Sequence, residues 1–194
     1  MRNLTILIPA AGASSRMRGT DKLLELVNGQ PLLRRQAAIA LSQTPNVVVT
    51  LRDPDPTRRA ALHGLPVTIL SVKDATTGMS ASFRAAAAIT QTALMILPAD
   101  MPDLTTADLA LLIAAFDQTP DQILRGSAGD TPGHPVILPI SLIPELTILT
   151  GDGGARSLLA RHKDKIRLIA LPDHHALTDL DTPEDWACWR ADRP

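Results

Sequence analysis

Two cations, Arg16 and Lys22, lie in a loop of small residues that follows an apolar segment near the N-terminus. The apolar segment, residues 4–8, predicts a strand that is buried on both faces. Small side chains leave the backbone N–H groups bare, and N–H groups arranged around a turn bind anions. A guanidinium and an ammonium add charge suited to phosphate. The pattern predicts a seat for a nucleoside triphosphate. Its small residues are Ala10, Ala11, Gly12, Ala13 and Ser14.

The alternative for this loop is an ordinary strand-to-helix connection whose cations are merely solvated. Residues 9–22 form a long connection for that role, since such connections usually take about 2–6 residues. The loop also differs from two common nucleotide motifs. Gly12 is not part of G-x-G-x-x-G, and no Gly-Lys-Ser/Thr closes a Walker A sequence. Both of those nucleotide-binding folds are therefore disfavoured.

Asp100 follows another apolar segment and is flanked by Pro98 and Pro102. A carboxylate fixed at the tip of a strand by stiff neighbours is suited to hold Mg²⁺, which binds a few carboxylates together with phosphate oxygens. Asp103 is an alternative ligand. Either acid could instead cap the following helix.

A second acidic pair, Asp179 and Asp181, precedes the C-terminal helix, and both side chains fall on one side of an extended segment. Capping and dipole complementation at that helix are already provided by Thr182, Glu184 and Asp185. Asp181 is therefore a candidate second metal ligand, with a role at the helix terminus as the alternative.

Other loops could contact the rest of the substrates. Gly78, Met79, Ser80 and Ser82 could place backbone and hydroxyl groups against a base or ribose, although Ser80 could equally cap a helix. His134 lies in a Gly-His-Pro turn, where it could contact a substrate or hold the loop. Residues 151–156, with Asp152 and Arg156, form a glycine-rich loop with a cation that could face a phosphate on a second substrate.

The composition excludes several functional classes. A net charge of −1 and a scarcity of aromatic residues (two Phe, two Trp and no Tyr) argue against nucleic-acid and membrane surfaces. The single Cys188 excludes an internal disulfide framework. No signal peptide or membrane-spanning run is apparent, so a cytoplasmic location is expected.

Apolar β-branched segments alternate with helical ones, which predicts an α/β fold with a mainly parallel central sheet. The predicted strands are 4–8, 47–51, 67–70, 94–97, 123–125, 134–138 and 166–171. We expect one domain over 1–194, with a nucleotide-binding part at about 1–103 and an acceptor-binding part at about 104–194. Ligands bind at the carboxyl ends of parallel strands. The loops 9–22, 73–82 and 98–103 should therefore meet there.

These motifs, in this order, resemble the nucleotidyltransferase signature of the MobA-like family, and the closest resemblance is to its molybdenum cofactor cytidylyltransferase branch. The matching segments are Pro9-Ala10-Ala11-Gly12-x-Ser14-x-Arg16-Met17, Lys22-Leu23-Leu24, Gly29-x-Pro31-Leu32, Gly78-Met79-Ser80-x-Ser82, Pro98-Ala99-Asp100-Met101-Pro102, Gly133-His134-Pro135, Gly151-Asp152-x-Gly154-x-Arg156 and Asp179-Leu180-Asp181-Thr182-Pro183-Glu184-Asp185. The family usually reads Arg-Met-Gly, whereas here Arg18 precedes Gly19. This insertion leaves open whether Arg18 joins the phosphate-binding cations.

The resemblance implies a three-layer Rossmann-like fold and Mg²⁺-dependent transfer of a nucleoside monophosphate to a phosphate acceptor. Arg16, Lys22 and the loop amides would bind the triphosphate. Asp100, with Asp181, would hold the metal ion. Residues 78–82 would hold the nucleoside, and the loops at 133–135 and 151–156 would receive the acceptor, which is molybdopterin in this branch.

Relatives that use GTP typically read Leu-Ala-Gly-Gly where this chain reads Pro9-Ala10-Ala11-Gly12, so the resemblance favours CTP. Two alternatives stay open: a nucleotidyltransferase that acts on a sugar or alditol phosphate, and a non-catalytic nucleotide- or cofactor-binding protein. The resemblance also leaves open a molybdoenzyme, or its maturation chaperone, as a protein partner.

Overall fold

A computed structural model describes residues 3–75, 78–151 and 153–193. Within those ranges a seven-stranded sheet runs through the molecule in the order β5-β4-β1-β6-β8-β7-β9, and a two-stranded antiparallel ribbon, β2-β3, lies beside it. The strands are β1 (Leu4–Pro9), β2 (Leu26–Val27), β3 (Gln30–Pro31), β4 (Val47–Arg52), β5 (Thr68–Val72), β6 (Ala93–Ile96), β7 (Ile123–Ala128), β8 (Thr131–Leu138) and β9 (Ile166–Ala170).

The sheet is mainly parallel, as predicted. β8 is its antiparallel strand, paired with β6 on one side and β7 on the other. β7 and β8 form a hairpin, and the left-handed backbone of Gly129, with φ at 54°, allows the tight turn between them. Because only one strand is reversed, the other six end at the same edge of the sheet.

Helices cover both faces of the sheet. They are α1 (Leu32–Leu41), α2 (Pro56–Ala61), α3 (Ser80–Ala87), α4 (Thr106–Gln118), α5 (Ile143–Leu146), α6 (Arg156–Arg161) and α7 (Pro183–Ala191). Among the residues that the structure describes, no helix has the length and apolar character needed to cross a membrane.

The three layers follow from how side chains alternate along each strand. Ile6 and Ile8 of β1 belong to the core that also contains residues of α1 and α4. Leu7, between them, points to the opposite core, which contains residues of α3, α5 and α6. The central strands are apolar on both faces because each face is covered by helices. The predicted α/β three-layer arrangement is confirmed.

Local signals set several helix boundaries, and the predicted cap at Thr182 is confirmed. Thr105 begins α4 with a capping box to Asp108, and Thr182 begins α7 with a capping box to Asp185. The third helix, α3, ends at Ala87. Beyond that end the Thr90 hydroxyl donates a hydrogen bond to the carbonyl of Ala86. Such side-chain bonds compete with helical backbone pairing.

Candidate functional site

A cavity of about 420 Å³ opens at the carboxyl ends of β1 and β6. Its wall includes residues from each of the three loops that the sequence predicts to converge. The first loop contributes residues 9–16 and Lys22, the second contributes Gly78, Met79 and Ser82, and the third contributes Asp100. Asp181, from the segment before α7, completes the wall. The fold therefore brings the predicted nucleotide-binding residues into one cavity, except that Ser80 is not among the residues that line it.

The first loop presents its small residues to this cavity. Ala10 and Ala11 are buried at the end of β1, whereas Gly12 and Ala13 are exposed. Ser14 adopts a left-handed backbone with φ at 51°, which turns the chain into a short 3₁₀ turn over Ser15–Met17. The loop is thus a compact turn around the cavity, as anion binding by backbone amides requires.

Arg58 of α2 holds that turn from behind, and sequence reasoning missed it. Its guanidinium is fully buried and donates hydrogen bonds of 2.7 Å to the carbonyls of Ala10 and Gly12. It also donates to Ser14 Oγ at 3.0 Å and pairs with Asp21 at 2.7 Å. With these carbonyls tied to Arg58, the loop amides are free to face a ligand. The sequence offers no local signal for this role, because Arg58 lies 46 residues from Gly12.

Asp21 completes this support of the loop. Burial works to raise the pKa of Asp21, but the hydrogen bond and charge of Arg58, with hydrogen bonds from Leu23 N–H and Ser14, hold that pKa below its ordinary value. The carboxylate therefore stays ionised beneath the loop at neutral pH.

Lys22 joins the two predicted metal ligands. Its Nζ donates hydrogen bonds of 2.6 Å to Asp100 Oδ2 and of 2.6 Å to Asp181 Oδ1. Arg16 reaches the other oxygen of Asp181, with a distance of 2.7 Å between Nη1 and Oδ2. Burial works to lower the pKa of Lys22, but the charges and hydrogen bonds of Asp100 and Asp181 raise it overall. Two cations and two carboxylates therefore form one cluster at the wall of the cavity.

The alternative acid, Asp103, is occupied elsewhere. One of its carboxylate oxygens accepts hydrogen bonds from Trp189 Nε1 at 2.9 Å and from Arg193 at 2.7 Å. Asp103 thus ties the C-terminal helix to the body of the protein, which leaves Asp100 as the acid of its segment that lines the cavity.

Arg18 does not join the predicted phosphate-binding cations, Arg16 and Lys22, in this structure. Its side chain is exposed and pairs with Glu184 of α7 at 2.8 Å. The left-handed backbone of Arg18, with φ at 52°, ends the short turn that carries Arg16. The extra residue before Gly19 therefore docks the loop on α7.

The candidate acceptor residues lie next to the nucleotide-binding segment. A Cβ placed on Gly154 would lie 3.2 Å from Met79 Sδ, and Ser80 N–H donates to the carbonyl of Gly151 at 3.3 Å. Ser80 itself is fully buried, and its hydroxyl has no hydrogen-bond partner among the described residues. Asp152 lies outside the described residues.

His134 begins its turn by donating its backbone N–H to the carbonyl of Ala176 at 2.9 Å. Burial, together with the positive charges of Arg125 and Arg156, lowers the pKa of His134 to about 4 even though Asp100 opposes the shift. The imidazole is therefore neutral at physiological pH. Arg156 is exposed at the first residue of α6.

The donor set suits a hard cation. Carboxylate oxygens are the ligands that Mg²⁺ prefers, and Mg²⁺ usually takes one or two of them together with phosphates and water. Asp100 and Asp181 both lie within 2.6 Å of the same ammonium nitrogen, so their oxygens converge on one point. Across the described ranges no group of three or more acidic, His or Cys side chains could hold a metal ion by itself. The site thus fits a magnesium ion that takes two ligands from the protein and its remaining ligands from substrate phosphates and water.

Comparison with known proteins agrees with this geometry. Residues 6–166 match the family model described as the MobA-like NTP transferase domain. A probable molybdenum cofactor guanylyltransferase from Nostoc is 29% identical, with 96% of this chain and 90% of that protein covered. A nicotine blue oxidoreductase from Paenarthrobacter nicotinovorans is 27% identical, with 93% of each chain covered. These names describe different activities, so they do not identify the substrates of this chain.

Solved structures agree on the fold. The crystal structure of Rv0371c from Mycobacterium tuberculosis superposes with a TM-score of 0.80 at 26% identity, covering 96% of this chain and 97% of that one. A manganese complex of the same protein superposes with a TM-score of 0.75 at 24% identity and covers 96% and 97% of the two chains.

Proposed function

The chain belongs to the MobA-like NTP transferase family, and we propose that it transfers CMP from CTP to the phosphate of molybdopterin and releases pyrophosphate. The observation that carries this proposal is the cluster of Lys22, Asp100 and Asp181 beside the first loop. It sets phosphate-binding cations directly against metal-binding carboxylates, as triphosphate chemistry requires.

The triphosphate binds along the first loop. Gly12 and Ala13 line the cavity, and Arg16 and Lys22 supply two positive charges. A triphosphate draws both cations away from the carboxylates, because phosphate oxygens carry more negative charge than one carboxylate. The same cations then stabilise the pyrophosphate that departs.

Asp100 and Asp181 would hold the magnesium ion. When bound, this ion supplies charge neutralisation at the α-phosphate and orients the phosphates for in-line attack. Nucleotidyltransferases of this kind generally use a divalent metal ion.

The transfer of CMP needs no general base, because the attacking phosphate oxygen is already ionised. An oxygen of the acceptor phosphate attacks the α-phosphorus, a new phosphorus–oxygen bond forms, and the bond to the bridging oxygen of the β-phosphate breaks. The electron pair leaves with pyrophosphate. Since a phosphate monoester is already ionised at neutral pH, the enzyme accelerates the reaction mainly by positioning and by charge neutralisation. A neutral His134 is compatible with this mechanism, because no proton has to be removed from the acceptor and no general base is needed.

The base preference rests on Ala11. Relatives that use GTP carry glycine at this position, and here the alanine methyl is buried against Val72 and Ala81 at the wall of the cavity. The added methyl leaves less room for a purine, so the smaller pyrimidine of CTP fits better. Relatives named guanylyltransferase make GTP the competing substrate.

The acceptor lies toward the turn at His134 and the loop that ends at Arg156. His134 is buried there and experiences the positive charges of Arg125 and Arg156, and such a positively charged region suits a phosphate ester. A sugar or alditol phosphate would satisfy the same charges and is the competing acceptor.

Pyrophosphate release tests the proposal. The protein is mixed with Mg²⁺ and molybdenum cofactor, and CTP, GTP, ATP and UTP are compared in parallel. Release with CTP is the expected result, and release with GTP instead would overturn the base preference. Release with none, despite triphosphate binding, would assign the acceptor to another phosphate compound. If no triphosphate binds, a non-catalytic cofactor-binding role replaces the proposal.

A further inference from the structure

We propose that Arg125 binds the phosphate of the acceptor substrate and that Arg156 shares this role. Arg125 lies on β7, outside every motif that carries the family resemblance. The inference rests on the proposed function, because that function supplies the phosphate acceptor.

Hydrogen bonds fix the guanidinium of Arg125 against the Gly-His-Pro turn. Its Nε donates to the carbonyl of Gly133 at 2.8 Å, and its Nη2 approaches the carbonyl of Pro132 at 3.3 Å. An arginine carries five N–H donors. Since those two contacts use one donor each, three donors remain for a ligand. A half-buried guanidinium oriented in this way is preorganised for an oxyanion.

The positive charge of Arg125 has no carboxylate partner in the described part of the chain. Among the described residues neither Arg125 nor Arg156 forms an ion pair with a carboxylate, and the two are close enough for their charges to interact unfavourably. Burial lowers the pKa of Arg125, and the charge of Arg156 adds to this effect. A phosphate dianion bound to Arg125 would offset the repulsion from Arg156 and use the free donors of the Arg125 guanidinium.

Two buried polar atoms of the same region also have no partner in the described part of the chain. They are Nδ1 of His134 and Oγ of Ser127, and Ser127 is only 1% exposed. Ser127 stands two residues after Arg125 on β7, where the register of the pairing with β8 shifts. Buried polar atoms normally have hydrogen-bond partners. Their presence here indicates a site that is completed by a polar ligand or its water.

The location suits an acceptor that must reach the α-phosphate of the nucleotide. Asp100 is near enough to influence His134 electrostatically, and His134 lies beside Arg125. β8, which carries His134, is paired directly with β6, whose end leads to Asp100. A phosphate held by Arg125 would therefore lie near the strand end that leads to Asp100, beyond the residues that line the cavity itself.

Phosphate binding tests the inference separately from turnover. Protein is loaded with Mg²⁺ and a saturating, non-transferable methylene analogue of CTP, and radiolabelled inorganic phosphate is titrated by equilibrium dialysis. Arg125→Gln should weaken phosphate binding about tenfold, the usual scale for a charged hydrogen bond. Arg156→Gln, which alters an exposed residue and leaves the core intact, should weaken it similarly. Arg167→Gln, an exposed arginine on the neighbouring strand β9, is the matched control and should leave binding unchanged.

Equal phosphate affinity in wild type, Arg125→Gln and Arg156→Gln would overturn the inference, and so would an absence of phosphate binding to the loaded wild-type protein. The variants are compared with Arg167→Gln by phosphate binding alone, so a loss confined to Arg125→Gln and Arg156→Gln supports the inference even if no CMP is transferred. Where turnover is measurable, Arg125→Gln should raise the KM for the acceptor and leave the KM for CTP unchanged. A raised KM for CTP alone would instead place Arg125 in the nucleotide site.

Discussion

Lys22 and Asp100, which are 78 residues apart in the sequence, form an ion pair of 2.6 Å at the wall of the cavity. The same ammonium pairs with Asp181, so one lysine lies where the two carboxylates converge. A metal ion that uses both carboxylates must compete with this ammonium. Triphosphate binding, which provides new partners for Lys22, and metal binding should therefore favour each other.

Replacing Asp100 should remove activity without unfolding the protein. Asp100→Asn keeps the side-chain shape but removes one charge from the metal site, and we expect kcat to fall about a hundredfold or more. The fold should survive because the side chain is partly exposed at the tip of a strand. Pyrophosphate release and thermal unfolding measure the two effects. Asp117→Asn, an exposed acid on α4, is the control, and a near-normal kcat in Asp100→Asn would refute the metal assignment.

Replacing Lys22 should separate metal binding from catalysis. Lys22→Met removes the ammonium that competes for Asp100 and Asp181, so the affinity of the free protein for Mn²⁺ should rise about tenfold, equivalent to ~1.4 kcal/mol. Turnover should fall, because the triphosphate loses one of its cations. Electron paramagnetic resonance of free Mn²⁺ measures the affinity. A weaker affinity for Mn²⁺ in this variant would mean that the two carboxylates do not form the metal site.

Ala11→Gly should shift the base preference toward GTP. Removal of one methyl from a binding pocket typically changes discrimination by about 10-fold or somewhat more. We expect the ratio of kcat/KM for GTP to kcat/KM for CTP to rise about tenfold. Because the ratio is taken within one protein preparation, a general loss of activity cancels. An unchanged ratio would remove Ala11 as the source of the preference.

The pair of Asp21 and Arg58 should make stability depend on pH in acid. The pKa of Asp21 is lowered in the folded protein, so the pair stabilises the fold above the unfolded pKa of 3.8, and this stabilisation is lost as the pH falls through the folded pKa. The difference in unfolding free energy between wild type and Asp21→Asn should be constant above about pH 5 and shrink below about pH 4. Urea unfolding across this range measures it. A difference that stays constant into strong acid would contradict the prediction, and Asp117→Asn again serves as the control.

Much of the fold could be read from the sequence because its signals are local. Apolar β-branched runs identified the seven strands of the main sheet, and Thr182 with Pro183 and Asp185 marked the start of the last helix. These signals depend on residues within about four positions of one another. Asp100 could likewise be selected from its place at the end of a strand.

The partners of the charged side chains were decided by the tertiary structure alone. Nothing local to Arg58 indicates that it is buried beneath the first loop, and nothing local to Arg18 indicates that it pairs with Glu184, 166 residues away. Such pairs form only when the order of strands in the sheet brings their loops to one edge. The sequence by itself therefore determined the elements and the class of chemistry. Packing determined which cation supports the loop, which cation meets the two predicted metal ligands and which cation has no carboxylate partner among the described residues.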